Sequence, residues 1–331
     1  VTVAVAVIGV GAFGRNHARV YHQLQKEQQP LALVGVVDRD QARAEIVARE
    51  FDCASYATID ALLAAHHNLK AASVTVPTVA HLEVARTLMQ AGVDVLIEKP
   101  VATALPEADE LIHLAATHQR IAQVGHLERF NPGVVATQPL ITQPMFFEVH
   151  RLSVFTPRSL DVDVVLDLMI HDLDVVLSFV RSPVKEVRAV GLPILSGKVD
   201  IANVRMEFES GCVANFTASR VSTERVRKLR FFQPRQYVSI DYGRQDVVVF
   251  SVGASEGKPS VNPQISMSKP AIHSEEPLRA EISSFLDAVR QRSIPMVSLE
   301  DGRRALALAL EIVAAIGEHG QNVGLAGLTR S

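Results

Sequence analysis

The chain has 331 residues, 48% hydrophobic and 21% charged, a composition that excludes wholesale disorder and is long enough for two cores. A formal net charge of -3 supplies no long-range field for nucleic acid or an anionic membrane, so any basic group that matters must act locally. The longest apolar run, "VAVAVIGVGAF" from Val3, is far shorter than a bilayer span and follows no charged leader, so the expected location is the cytoplasm.

The first third alternates regularly. "VAVAVIGV" predicts a buried strand, "RNHARVYHQLQKE" an amphipathic helix, "LALVGVVD" a strand and "DQARAEIVAREF" a helix, joined by short turns. A helix around "TIDALLAAHH" comes next, then the strand "AASVTVP", the helix "VAHLEVARTLMQAG" closed by Gly92, and the strand "DVLIE". Thr103 can cap "ALPEADELIHLAATHQ", where Pro106 falls in the first turn and its missing N–H costs no helical bond; "IAQVGH" ends the series. Strands that are apolar throughout and separated by helices require a parallel sheet covered on both faces, a doubly wound α/β arrangement.

The pattern changes after about residue 127. From Met145 the strands alternate: "MFFEVHRLSVF", "VKEVRAVGL", "DIANVRMEFES", "GCVANFTASRV", "RVRKLRFFQ" and "QYVSIDY", with "SGCV" and "DYGR" as turns. One helix, "DVVLDLMIHDLDVVLSFV", interrupts them. The segment from Ser251 to Pro277, rich in Ser, Pro and Gly, predicts a long loop. Two helices, "LRAEISSFLDAVRQR" and "LEDGRRALALALEIVAAIGEHG", close the chain. The predicted division is a parallel-sheet domain over 1–126 and an α+β domain with a mostly antiparallel sheet over 127–331. Cys53 and Cys212 lie far apart without metal-type spacing and read as small buried hydrophobes.

The segment "VIGVGAFGRNHA" follows a predicted strand and opens a predicted helix, and Asp38 ends the next strand, which is the context that makes a GxGxxG motif informative. Gly9 permits the tight turn, Gly11 lets backbone approach a pyrophosphate, and Gly14 lets helix and sheet pack closely. Asp38 would accept both ribose hydroxyls, favouring NAD and repelling a 2'-phosphate, while Arg39 could stack on adenine or bind that phosphate, which keeps NADP as the second choice. Ligands of such sheets collect at the carboxyl ends of the strands. The expected cofactor site is therefore Gly9, Gly11, Ala12, Phe13, Gly14, Asp38 and Arg39, with the strand-end residues Val76, Pro77, Thr78, His81, Glu98 and Lys99. In "EKP", Pro100 restricts Lys99 and aims its ammonium, which beside a nicotinamide could bind a substrate hydroxyl and stabilise an alkoxide.

A second constellation lies in the interrupting helix, where Asp167 and His171 share a face at i and i+4 and Asp174 follows. One reading is a run of carboxylates near the helix start with an ordinary solvated or core histidine. The other is an acid–base pair, since histidine titrates near working pH and a carboxylate one turn away can fix its tautomer. Nothing with metal-ligand spacing supports a metal at Asp167, His171 and Asp174, so none is expected.

Taken in order, "GVGAFG", "VPTVAH", "EKP", "GHLERFNP" and "LDLMIHDLD" resemble the Gfo/Idh/MocA family of NAD(P)-dependent oxidoreductases, over essentially the whole chain. The resemblance implies a Rossmann domain plus a large, mostly antiparallel sheet whose open face forms homodimers or homotetramers. It places the family's catalytic lysine on Lys99, its DxxxH pair on Asp167 and His171, and its strand histidine, a substrate contact, on His150. "DVDVVLD", with Asp161 and Asp163, stands where members often carry a Gly-Gly pair, so this helix begins differently. Within the family, "VGHLERFNPGV" with "RSLDVDVVLDLMIHDLDVVL" is similar to dehydrogenases that oxidise the 3-hydroxyl of UDP-N-acetylglucosamine ahead of an aminotransferase, in the making of amide-linked lipid A.

The expected reaction is thus hydride transfer from a secondary sugar hydroxyl to NAD, with Lys99 and His171 on the hydroxyl and Asp167 orienting His171. Arg129, Asn131 and Arg158 are the candidate substrate contacts beside His150; Arg129, Arg151, Arg158 and "ERVRKLR" offer guanidinium groups for a diphosphate, or are solvated strand faces and subunit contacts. The alternatives are a free sugar or inositol dehydrogenase, and a non-catalytic NAD-binding regulator.

Overall fold

The computed structural model describes residues 2–156, 162–253 and 264–324. The backbone groups into two compact units, Val1–Leu127 with Glu276–Leu306, and Glu128–Glu275 with Ala307–Ser331.

The first unit holds six strands, β1 (Val3–Ile8), β2 (Leu31–Val37), β3 (Ala54–Tyr56), β4 (Ala71–Val74), β5 (Asp94–Glu98) and β6 (Ala122–Gly125), all parallel and ordered β3-β2-β1-β4-β5-β6. Helices α1 (Ala12–Lys26), α2 (Gln41–Glu50), α3 (Ile59–Ala65), α4 (His81–Gln90) and α5 (Leu105–Thr117) connect them. Every residue of β1 and β5 is buried, as a sheet covered on both faces demands. The order reverses between β1 and β4, which opens a crevice at their carboxyl ends. The edge strand β3, three residues long, is too short to show in the sequence pattern.

The second unit contains α6 (Pro132–Thr137), α7 (Ile170–Phe179) and eight strands: β7 (Phe146–Leu152), β8 (Val184–Leu192), β9 (Ile201–Phe208), β10 (Val213–Ser219), β11 (Val226–Gln233), β12 (Gln236–Asp241), β13 (Asp246–Val252) and β14 (Ile265–Ser268). They form one sheet, β14-β13-β12-β11-β7-β10-β9-β8, antiparallel except where β7 meets β10. Additional to the strands that the sequence pattern predicts are β13 and β14. The latter, wholly exposed, lies inside the predicted loop and owes its shape to pairing with β13, Phe250 opposite Met267. Alternation along β7 puts Phe147, Val149 and Arg151 on the covered face, where the Phe147 and Phe179 rings both pack on Phe231, at 5.5 and 6.2 Å. On the other face Phe146, Phe232, Tyr237 and Phe250 form a row with centroids 5.6, 4.9 and 5.8 Å apart.

Two helices close the chain, α8 (Pro277–Gln291) and α9 (Leu299–Asn322). The first returns to the parallel-sheet unit, where Leu278, Ile282, Phe285, Leu286 and Val289 join Val5, Val7, Tyr21 and Leu33 in one core. The sequence division at residue 126 thus marks where the chain first leaves this unit and misses its return. An amphipathic pattern shows that a helix has an apolar face, not which core receives it. Cys212 is buried and Cys53 half-buried, and burial pushes both thiols up to about 11.

Candidate active site

The glycine loop is built by contacts that exclude side chains. Gly9 has φ +89°, and a Cβ on it would stand 2.9 Å from Val76. A Cβ on Gly14 would stand 1.9 Å from the Gly9 carbonyl oxygen and 2.5 Å from Thr75 Oγ1, so only glycine lets α1 lie this close to the sheet. A Cβ on Gly11 would meet nothing within 4 Å. Open space at the N-terminus of α1, where backbone N–H groups are unpaired by the helix, is a place that can accept an anion. A cleft of about 850 Å³ opens here, of a size that suits a cofactor. Gly9, Gly11, Ala12 and Phe13 line it, as do Asp38, Arg39, Val76 and Pro77, which brings eight of the predicted cofactor residues together.

Asp38 accepts hydrogen bonds from the Val10 and Asp40 backbone N–H groups, at 2.8 and 2.9 Å, which fixes its carboxylate at the end of β2. Arg43, which the sequence reading passed over, also lines the cleft and bridges Asp38 at 3.5 Å and Asp40 at 3.0 Å. Its signal was its place in the first turn of α2, three residues after the capping Asp40.

The strand ends diverge from expectation. Thr78 begins a single 3-10 turn, Thr78–Ala80, beside Pro77. His81 is buried, its Nε2 3.0 Å from the Val76 carbonyl oxygen and its Nδ1 3.1 and 3.3 Å from those of Pro100 and Val101; burial pushes its pKa down. It therefore ties the loop after β4 to the loop after β5, a supporting role in place of the predicted cofactor contact. Lys99 is half-buried just beyond β5, and its bond to Pro100 is cis. Glu98 turns inward: Oε1 lies 3.1 Å from Nε2 of His17, and Oε2 accepts the Lys99 backbone N–H at 3.3 Å. Nothing local in the sequence marked His17, which sits 81 residues from that partner.

In the second unit Asp167 lies in a π-helical turn, Val165–Met169, and His171 in the first turn of α7; both are half-buried. Such turns recur at functional sites. Here Asp163 secures the altered helix start, accepting the Asp167 N–H on its backbone oxygen and the Val199 N–H on its carboxylate, at 3.0 and 2.9 Å. Arg158 and Asp161 lie outside the described residues.

Beneath His171 lies an ionic core. Arg151 grips Asp172 with two bonds of 2.6 and 2.9 Å and reaches Glu128 at 3.0 Å, and Arg129 pairs with Asp174 at 3.4 Å. All five side chains are buried. Asn131 is buried with them: its amide oxygen caps α6 at the Gly133 N–H, and its amide nitrogen donates to Glu128 and to the Tyr242 carbonyl, both at 3.1 Å. Arg129 and Asn131, expected at the substrate, therefore hold the unit's interior, because a buried guanidinium or amide needs its partners close by. His150 is on the face of the sheet opposite α7, between Lys228 and Thr217 on the neighbouring strands. From "ERVRKLR", Arg230 pairs with Glu148 at 3.7 Å and Lys228 with Asp241 at 3.9 Å, contacts between directly opposite residues of neighbouring strands.

Two family models match the chain: an oxidoreductase family with an NAD-binding Rossmann fold, over residues 3–126, and the GFO/IDH/MocA C-terminal domain, over residues 144–238. The UDP-N-acetylglucosamine 3-dehydrogenase of Acidithiobacillus ferrooxidans is 38% identical over 314 residues, 94% of this chain and 96% of the relative. A solved structure of that enzyme, GnnA, aligns with a TM-score of 0.87 at 36% identity, over 96% of this chain and 98% of its own. An inositol 2-dehydrogenase of Rhizobium meliloti is 25% identical over 97% of this chain and 98% of the relative. Among the described residues no helix is long and apolar enough to cross a membrane.

Proposed function

The chain belongs to the Gfo/Idh/MocA family of NAD-binding oxidoreductases, and from that premise we propose that it oxidises the 3-hydroxyl of a UDP-N-acetylhexosamine with NAD as acceptor. The observation that carries the substrate is the likeness to UDP-N-acetylglucosamine 3-dehydrogenase, which runs the length of both chains. The resemblance of its sequence motifs supports a place for the ketone ahead of an aminotransferase, in the making of amide-linked lipid A.

The first unit fits the cofactor: the space above Gly11 suits a pyrophosphate, and the Asp38 carboxylate suits two ribose hydroxyls. Bound there, NAD supplies the acceptor for the hydride that leaves the carbinol carbon. NAD is favoured over NADP because Asp38 would repel a 2'-phosphate and Arg43 is already engaged by Asp38 and Asp40, while Arg39, which also lines the cleft, is left to stack on the adenine. Lys99 Nζ donates to the substrate oxygen and stabilises the alkoxide as it forms. His171 takes the hydroxyl proton on a ring nitrogen, and Asp167 holds that ring in orientation and stabilises its charged form. The aromatic row on the sheet face opposite α7 suits self-association as a homodimer or homotetramer.

The test is NADH formation from NAD and UDP-N-acetylglucosamine, with glutamate and an aminotransferase added to draw off the ketone. Lys99→Ala and His171→Ala should each cut turnover roughly 100-fold or more, the scale of lost acid–base groups. Full turnover in Lys99→Ala would remove this mechanism. Activity confined to free inositols would replace the nucleotide-sugar reading, and NAD binding without any turnover would leave a regulator.

A further inference from the structure

A set of polar side chains is buried in the first unit between α1, α8 and the sheet. His17 and Tyr21 come from α1, Ser73 from β4, Glu98 from β5, Gln123 from β6 and Glu281 from α8. Glu98 is 9% exposed and the other five are 0% exposed. The His17 ring is held from both sides, Nδ1 3.0 Å from Ser73 Oγ and Nε2 3.1 Å from Glu98 Oε1, and Ser73 Oγ lies 2.9 Å from the Tyr21 hydroxyl. Through its other oxygen Glu98 accepts the backbone N–H of Lys99.

Glu281 stands apart from this chain of bonds. One oxygen of its carboxylate, one nitrogen of the His17 ring and one oxygen of the Glu98 carboxylate all lie within 4.8 Å of one another. Yet neither of its oxygens meets a hydrogen-bond donor among the described residues. Two carboxylates so close in a water-excluded interior cannot both be ionised. Glu98 has the donors that an ionised carboxylate needs, the His17 ring and the Lys99 amide, whereas Glu281 has none. Burial, and after it the charge of Glu98, pushes the Glu281 pKa well above the usual carboxyl range.

We propose that Glu281 is kept as a protonated carboxylic acid beside an ionised Glu98 held by His17, and that these three residues position Lys99 through the Glu98 carboxylate. A second negative charge at 281 would repel the Glu98 carboxylate and weaken its hold on the Lys99 amide; a neutral acid there prevents this. The positioning role rests on the assignment of Lys99 to the substrate oxygen, whereas the protonation of Glu281 does not.

Infrared difference spectra between the wild type and Glu281→Gln, taken at about pH 8 where ordinary carboxyl groups are ionised, test the proton. The carbonyl stretch of a buried carboxylic acid should be present in the wild type and missing in the variant. If Glu281→Gln does not fold, Glu281→Met, of similar length and without an acid, supports the same comparison. An unchanged acid band overturns the assignment. So does one divalent metal per chain in the purified wild type that is lost in the variant, because the carboxylates would then be ligands. For the positioning role, Glu98→Gln should lower kcat at least about tenfold with KM for NAD unchanged, a split expected of a lost transition-state contact. His17→Gln gives the same split if Glu98→Gln does not fold. Full kcat, or a parallel loss of NAD binding, overturns it. Full turnover in Lys99→Ala would sink the assignment of Lys99 and leave the infrared result standing, so the two failures are distinguishable.

Discussion

Replacing Arg151 by Met tests how the helix that carries His171 is held. The guanidinium makes three bonds, two to Asp172 and one to Glu128, at 2.6, 2.9 and 3.0 Å. Asp172 is 1% exposed and Glu128 7%. Methionine fills much of the same space but leaves two neighbouring carboxylates buried without their cation. Breaking a buried pair in this way costs about 3–5 kcal/mol, which for a unit of this size is a fall in Tm of roughly 6–20 °C. Unfolding followed by circular dichroism measures it. Burial already pushes the Asp172 pKa up against the opposing pull of Arg151, and without the arginine it should rise further. A group whose pKa is raised by folding lends stability that is fully present below its unfolded value and is lost as the pH rises through its folded value. The deficit of the variant should therefore shrink on acidification and widen towards neutrality. A triple variant, Arg151→Met with Asp172→Leu and Glu128→Gln, should recover most of the loss, since well-packed apolar groups can replace a buried ionic cluster. A single-variant loss below about 1 kcal/mol, the scale of an exposed pair, or a deficit that does not vary with pH, would refute the reasoning.

The two loop glycines should fail differently. Gly14→Ala drives a methyl to 1.9 Å from the Gly9 carbonyl oxygen and should cost about 1–3 kcal/mol of stability through overpacking, together with NAD affinity. Gly11→Ala meets no atom within 4 Å, so its Tm should hold while NAD binding weakens about tenfold or more, the equivalent of 1.4 kcal/mol. Thermal melts and calorimetric titration separate the two, and wild-type NAD binding in Gly11→Ala would take this loop away from the pyrophosphate. For Glu281 the raised pKa means that the native state keeps a proton the unfolded chain releases above about pH 4–5. Stability should decline as the pH rises from there towards the folded value, and Glu281→Gln should flatten that slope in unfolding measurements across the range.

Much of the first unit was legible because its signals are local. An apolar run such as β1 needs cover on both faces whatever surrounds it, and the glycine spacing carries its own steric reason. The second unit shows where such reading stops. Arg129 and Asn131 looked like ligands for substrate, but their partners, Asp174 and Tyr242, lie 45 and 111 residues away. A guanidinium that meets a diphosphate and one that meets a distant carboxylate have the same neighbours in sequence. The same limit hid His17 and Glu281 and, among elements, β14, whose four exposed residues have no pattern until β13 lies beside them. In "HDLD", the sequence points to His171 as chemistry and Asp174 as its companion. The fold gives Asp172 and Asp174 to the two arginines, leaving Asp167 and His171 as the half-buried polar pair at the helix start.

The return of α8 to the parallel-sheet unit has a consequence for how the protein is made. Translation completes the strands of that unit by Leu127, but its last contribution ends at Leu306. Synthesis from Leu127 to the end of α8 at Gln291 takes about 8–33 s at 5–20 residues per second. For that interval the apolar ground later shared by Tyr21 and Phe285 lies without α8 on the nascent chain. It is there that a chaperone would find a hold, and a gene fragment ending at residue 126 would leave the same ground permanently bare.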